Sequence, residues 1–449
     1  MDKYRKESDS LGDIEVPNNA HYHTSTARAL KFFDIGIEKP DDAFIKSYAT
    51  LKACAARANL KLKLLDKHYC DAIEYAANEI TSGQHLDAFE ISIWQSGSGT
   101  QTNMNINEVI ANLANRKLGS PNPAKDPIHP NDHVNLSQST NDTFPTTMHI
   151  YFSLLIVESL LPTLVKLKQT IEEKIDDFDN QTHIARTHLQ DALPIKMAQS
   201  FTPYLHFVEQ TIKELYGVLD KLYLIPIGGT AVGTGFGADP KYTDHMIDEL
   251  SKAFKLPFCA SPYPGNDMSQ HLALLELSSI LNNFSACYQK MCNDIRFLSS
   301  GPRCGLNNLI LDSNEPGSSI MPGKANPTQC ESAIMVCIAV IANHSGVTQA
   351  CTQSYFELNT NKPLILHLLT QSCRLINDSV HSFTQHCLKG LKINIKQCNN
   401  DIHQSLMLVT ALRPHIGYDN AAKAAQYAHK NDTSLKEAVL YLNLLSASE

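Results

Sequence analysis

The sequence lacks the features by which several ligand classes announce themselves. Its first residues, MDKYRKESDSLGDIEVP, hold no apolar run of the kind a secretory signal needs. Its most apolar stretch, 152–165, is broken by Glu158 and Pro162 and stays short of a membrane span. Positive charge is not in excess. Lys and Arg number 38 against 46 Asp and Glu, a formal net charge of −8, which argues against binding to nucleic acid or to an anionic membrane. Twelve cysteines are present, but no C-x-x-C pair and no metal-ligand spacing occurs among them. Without a secretion signal they read as reduced, mostly buried thiols, and the expected compartment is the cytoplasm.

What is present is helical pattern. The 449 residues, 43% apolar and 19% charged, exceed what one growing core accommodates, so two or three regions are expected. From Lys196 to Leu222 the apolar residues Met197, Phe201, Leu205, Val208, Ile212, Leu215, Leu219 and Leu222 alternate spacings of three and four. That predicts a helix about 40 Å long with one apolar stripe. Similar patterns cover about 150–177, 268–298 and 363–389, with Gly390 as the expected C-cap of the last. The run Glu331–Ile341, ESAIMVCIAVI, is apolar on nearly every side, which suits a helix surrounded by other helices. The fold class expected is therefore mainly α, a long-helix bundle. A mixed region with Gly- and Asn-rich loops would span 1–136, the bundle 137–390, and a small helical region 391–449.

Polar residues of the kind that bind small anions gather in four places. The first is Ser96-Gly97-Ser98-Gly99-Thr100-Gln101-Thr102-Asn103, where glycines free the backbone and hydroxyls and N–H groups can hold a carboxylate at a helix start. The second is His129-Pro130-Asn131-Asp132 followed by Ser137-Gln138-Ser139-Thr140-Asn141-Asp142, three short donors in a row at 139–141. His129 and His133 stand four apart, but Pro130 opposes a regular helix and no third ligand is placed, so no metal is expected. The third is Arg186-Thr187-His188-Leu189-Gln190-Asp191, a histidine among groups that could orient it for acid–base work. The fourth, Gly317-Ser318-Ser319-Ile320-Met321-Pro322-Gly323-Lys324-Ala325-Asn326-Pro327, delivers a lysine and an asparagine to the start of the apolar helix. A cation beside a helix N-terminus is an anion site. Taken alone, the first three clusters are more often caps, turns or structural residues, whereas a surface loop with a solvated lysine fits the fourth poorly.

Together, in this order, the four clusters resemble the motifs of the fumarase/aspartase superfamily, with GSSIMPGKANP similar to its signature, and the resemblance runs from about residue 5 to the end. It implies a homotetramer with a core of twenty helices, each active site shared between subunits, and no cofactor or metal. The substrates implied are fumarate and L-malate, interconverted through an aci-carboxylate as a step of the tricarboxylic acid cycle, with no nucleic acid or membrane partner. By the same resemblance Ser318 is the base on carbon, Lys324 and Asn326 hold the carboxylate that gains charge, and His188 with Glu331 handles the water. Ser98, Gly99, Thr100, Ser139, Thr140, Asn141, Thr187 and Ser319 would complete the substrate site.

Within the superfamily R-T-H-L-Q-D at 186–191 is similar to the fumarate hydratases of class II, because aspartases lack the histidine. Thr140 and His133 resemble the aspartase versions of their motifs. Asp126 stands where fumarases carry a basic residue, which weakens a second anion site at His129, Asn131 and Asp132 or shifts it onto Lys125. The segments 261–268 and 354–359 also depart from the family pattern. The rival readings are an aspartate ammonia-lyase and a catalytically idle homologue. The glycine-rich 228–235 follows a long helix and lacks the βαβ frame of a dinucleotide site.

Overall fold

In the computed structural model, which describes residues 3–446, strands are short and every sheet among the described residues has two strands. The larger ones are the antiparallel hairpins Tyr4–Asp9 with Gly12–Pro17 and Thr182–Thr187 with Gln190–Lys196. Sheets of this size cannot bury a core of their own, so the fold rests on its helices. The expected long helices occur at Met197–Leu222, Leu272–Leu298 and Lys362–Phe383. The fourth, Thr140–Leu155, runs on through a wide turn at Ile156–Leu160 into Leu161–Phe178. Thr140–Phe178 and Thr328–Thr352 are long and apolar enough to cross a bilayer, a test that the core helix of a bundle also passes.

Gly390 is not the left-handed cap the sequence suggested. It is absent from the positive-φ glycines, and its small size instead admits Asp312, whose Oδ2 would lie 1.8 Å from an added Cβ.

Two compact units divide the chain, and several of the long helices contribute residues to both. One is built from 1–162, 212–285 and 338–377, the other from 163–211, 286–337 and 378–449. In the first, the helix Asp42–Lys61 carries Phe44 and Tyr48 against Phe144 and Tyr151 of Thr140–Leu155, with ring centroids 5.2–6.1 Å apart. All four rings are fully or almost fully buried, each contributing about 1.5–3 kcal/mol by burial. In the second, Phe178, Phe201 and Tyr204 stack edge to face, and Val409, Ile416, Ala421, Ala424 and Val439 form a small core of their own.

The helix Thr328–Thr352 differs from its expectation within one chain. Cys330, Ala333, Cys337, Val340 and Val347 are buried, while Met335 is 65% and Ile338 56% exposed. One face is covered and the other presents apolar side chains to solvent.

Candidate active site

In the first unit the SGSGT loop ends at Gly99, φ +82°, where an added Cβ would press on the Phe144 ring at 2.4 Å. Gly97 is equally constrained, since a Cβ there would overlap the Thr360 carbonyl. These contacts fix the loop so that Thr100 opens the helix Thr100–Lys117, with Ser98 Oγ 2.8 Å from Thr100 Oγ1. The next helix, Thr140–Leu155, starts with a capping box. Ser139 Oγ accepts from Asn141 N, and Asp142 accepts from Ser139 N. Because Ser139 Oγ is an acceptor there, its own proton is free to donate to a ligand. Thr100, Ser139, Thr140 and Asn141 line one pocket of about 540 Å³, with Asn103, Asn135, Gln138, Thr230 and Phe236.

The glycine-rich 228–235 segment has a structural task here. Asp142 is fully buried and its Oδ2 accepts from Gly228 N and Thr230 N at 3.0 Å, while Ala231 O accepts from Asn141 Nδ2 at 2.9 Å. Burial raises the Asp142 carboxyl to about 7 against these stabilising N–H bonds.

In the second unit His188 and Thr187 sit at the tip of the hairpin Thr182–Thr187/Gln190–Lys196. His188 and Leu189 both take left-handed backbone, φ +55° and +61°, and both are exposed. The hairpin is anchored behind its tip. Arg186 donates to Asn308 Oδ1 and faces Asp401, and Asn308 Nδ2 donates to Asp401 Oδ2 at 2.7 Å.

The 317–327 loop turns on Gly317, φ +77°, where a Cβ would collide with the Lys324 carbonyl at 1.7 Å. That close approach folds the loop back so that Ser318 Oγ accepts from Ile320 N at 3.3 Å and Met321 N at 3.2 Å. Lys324 Nζ donates to Asn326 Oδ1 at 2.7 Å, and Glu331 lies in the first turn of Thr328–Thr352. Ser319 is exposed on the same loop. Among the described residues no hydrogen bond or ion pair joins His188 to Glu331 within one chain.

His129 and Asn131 line a different pocket, with Arg28 and Lys125. His129 Nδ1 accepts from Asn131 N and Asp132 N and lies 3.3 Å from Asp132 Oδ2. Arg28 is held by Asp9 through two 2.8 Å hydrogen bonds, whereas Lys125 donates to Ser8 O and, among the described residues, has no carboxylate partner. Asp132 is absent from the lining.

Residues the motifs did not single out also belong to the first pocket. Asn103 and Asn135 line it, and Lys52 bonds Asn135 and Gln138 from behind. Asn103, Asn135 and Gln138 lie within or beside quoted motifs, though none was named as a site residue. Lys52 sits in an alanine-rich helix with no local sign of a site.

Loops that hold hydroxyl, amide and ammonium donors at helix starts, in a mainly helical chain, suit the handling of small anions, and the class of protein to which this chain belongs is the fumarase-type lyases. The chain matches the Lyase family over residues 12–342 and the Fumarase C C-terminus over 408–449. It is 46% identical over 449 residues to a class II fumarate hydratase of Rickettsia felis, covering 100% of this chain and 97% of that one. A class II fumarate hydratase of Thermosynechococcus vestitus is 47% identical over 445 residues, covering 99% and 95%. The crystal structure of a recombinant class II fumarase from Schistosoma mansoni superposes with a TM-score of 0.96 at 38% identity, covering 99% of this chain and 96% of that one. The chain belongs to the class II fumarate hydratase family, the hydro-lyases of the fumarase fold.

Proposed function

We propose that this chain interconverts fumarate and L-malate by stereospecific anti addition and loss of water, without cofactor or metal. It works in the cytoplasm as a homotetramer whose active sites are shared between subunits. The observation that carries the chemistry is Ser318 Oγ accepting from two backbone N–H groups. An oxygen held in that way is stabilised as an alkoxide, which abstraction of a carbon-bound proton requires.

In the direction of dehydration Ser318 takes the proton from the carbon beside one carboxylate. The electron pair moves into that carboxylate, giving an aci-carboxylate with one further negative charge. Lys324 and Asn326, already joined at 2.7 Å, hold it. His188, oriented by Glu331 in the assembled site, gives a proton to the hydroxyl, which leaves as water while the C=C bond forms. Hydration runs the same steps backwards. Ser98, Gly99, Thr100, Ser139, Thr140, Asn141, Thr187 and Ser319 bind the remaining substrate oxygens, and the pocket at His129, Asn131 and Lys125 is a second anion site.

Two features support sharing between subunits. His188 has no bond to Glu331 inside one chain, and Met335 and Ile338 leave an apolar helix face uncovered.

The test is ultraviolet absorbance of fumarate formed from L-malate, with L-aspartate in parallel and His188→Asn as control. Turnover of malate alone, lowered about 10²- to 10⁴-fold in the variant, is expected for loss of an acid–base group. Ammonia from aspartate without malate turnover would make the chain an aspartate ammonia-lyase. Silence on both from an assembled protein would make it an idle homologue.

A further inference from the structure

Lys52 is 0% exposed, in the middle of the helix Asp42–Lys61. Buried lysines are rare unless paired, because removing an ammonium from water is costly. Among the described residues this one has no salt bridge. Its Nζ donates to Asn135 Oδ1 and Gln138 Oε1, both at 2.9 Å, and lies 5.3 Å from the centre of the Tyr48 ring. Both acceptors line the pocket that holds Thr100, Ser139, Thr140 and Asn141. The ammonium therefore stands one amide behind the wall of the proposed dicarboxylate site.

Its bonds also set the direction of the next ones. With Asn135 Oδ1 turned to the ammonium, that oxygen also accepts from Asn103 Nδ2 at 3.3 Å and Asn107 Nδ2 at 3.2 Å. Asn103 Nδ2 donates its other proton to Thr140 Oγ1 at 2.9 Å. Thr140 Oγ1 is thereby an acceptor on its buried side, and its own proton is left for the pocket.

We propose that Lys52 is a positioning residue for the substrate dianion: it supplies the positive charge beneath the carboxylate pocket and, through Asn135 and Asn103, turns the Thr140 hydroxyl outward as a donor. The inference rests on the reading of this pocket as the dicarboxylate site. Two further observations fit it. Asp142, a buried carboxyl in the same region, would in its charged form oppose an entering dianion, and its charge and that of Lys52 attract each other. Burial also draws the Lys52 ammonium down to about 7, so an anion arriving in the pocket stabilises its charged form.

The experiment uses the full assembled protein with Lys52→Met, which keeps length and apolar stem but removes the charge. Steady-state kinetics on L-malate and binding of succinate, a non-reacting dicarboxylate, are measured beside thermal stability and sedimentation. A rise of about ten- to a hundredfold in KM and in the succinate Kd is expected, with kcat nearly unchanged. Lys52→Arg, which keeps the charge, should recover part of the loss. A purely structural lysine would shift thermal stability and leave KM and the succinate Kd at wild-type values, and that result overturns the proposal. Should Lys52→Met fail to assemble, Asn103→Leu cuts the same relay with the ammonium in place. It is expected to weaken succinate equally, and unchanged binding overturns the relay. Succinate binding is read independently of turnover, so a protein inert on malate would fail the hydratase reading while Lys52 is still decided.

Discussion

At the scale of single residues, burial governs the protonation chemistry of this chain. His183 shows the effect outside the proposed site. It is 4% exposed, its Nε2 lies 2.9 Å from Ser200 Oγ, and among the described residues its buried Nδ1 has no partner. Burial and then the charge of Arg186 pull its imidazole from 6.5 down to about 4. A second N–H on the protonated ring would have nothing to bond in the fold. The unfolded chain takes up this proton near pH 6.5 and the folded chain only near 4. Stability from a neutral His183 is thus complete above 6.5 and drains away as pH falls toward 4, at up to about 1.4 kcal/mol per pH unit. Denaturant midpoints of the wild type and of His183→Asn should therefore converge between pH 7.5 and 4.5. Parallel curves would mean that the imidazole titrates normally.

At the scale of elements, the Thr182–Lys196 hairpin turns through two non-glycine residues in left-handed backbone, His188 and Leu189. A β-hairpin of this kind favours Asn-Gly, and each side chain here costs about 1 kcal/mol relative to glycine. His188→Gly should leave the fold as stable or stabilise it by about 0.5–1 kcal/mol while malate turnover collapses. Equal losses of stability and activity would instead make His188 a structural residue of the turn. The hairpin also marks the limit of what the sequence discloses. His-Leu carries no turn signature, so periodicity and punctuation gave no warning of it. The long helices were legible because three-and-four spacing survives any tertiary arrangement, as in Met197–Leu222. The four polar clusters were legible because hydroxyls, glycines and a lysine crowd short segments. The roles of Gly228 and Thr230 were not, since their N–H groups serve Asp142, more than eighty residues away. Lys52 was hidden for the same reason: its partners come from 135–138.

At the scale of the whole molecule, the uncovered face of Thr328–Thr352 and the missing bond between His188 and Glu331 lead to one experiment. Met335 and Ile338 are exposed, and in the proposed homotetramer a second copy of the chain would cover them. If a site takes Ser318 from one subunit and His188 from another, two dead enzymes can repair each other. Ser318→Ala and His188→Asn are each expected to be inactive as pure proteins. Unfolded together in equal amounts and refolded, they form mixed assemblies in which some sites receive both native side chains. Random mixing restores about a quarter of the sites, since each native residue is present with even odds. Mixing the folded proteins without refolding should restore nothing until subunits exchange. Sedimentation of the refolded sample checks that assembly has occurred, the proposed homotetramer being expected at four times the mass of one chain. An assembled mixture with no malate turnover would mean that Ser318 and His188 of each site come from the same subunit. The exposed apolar face would then hold the assembly together without building its active sites.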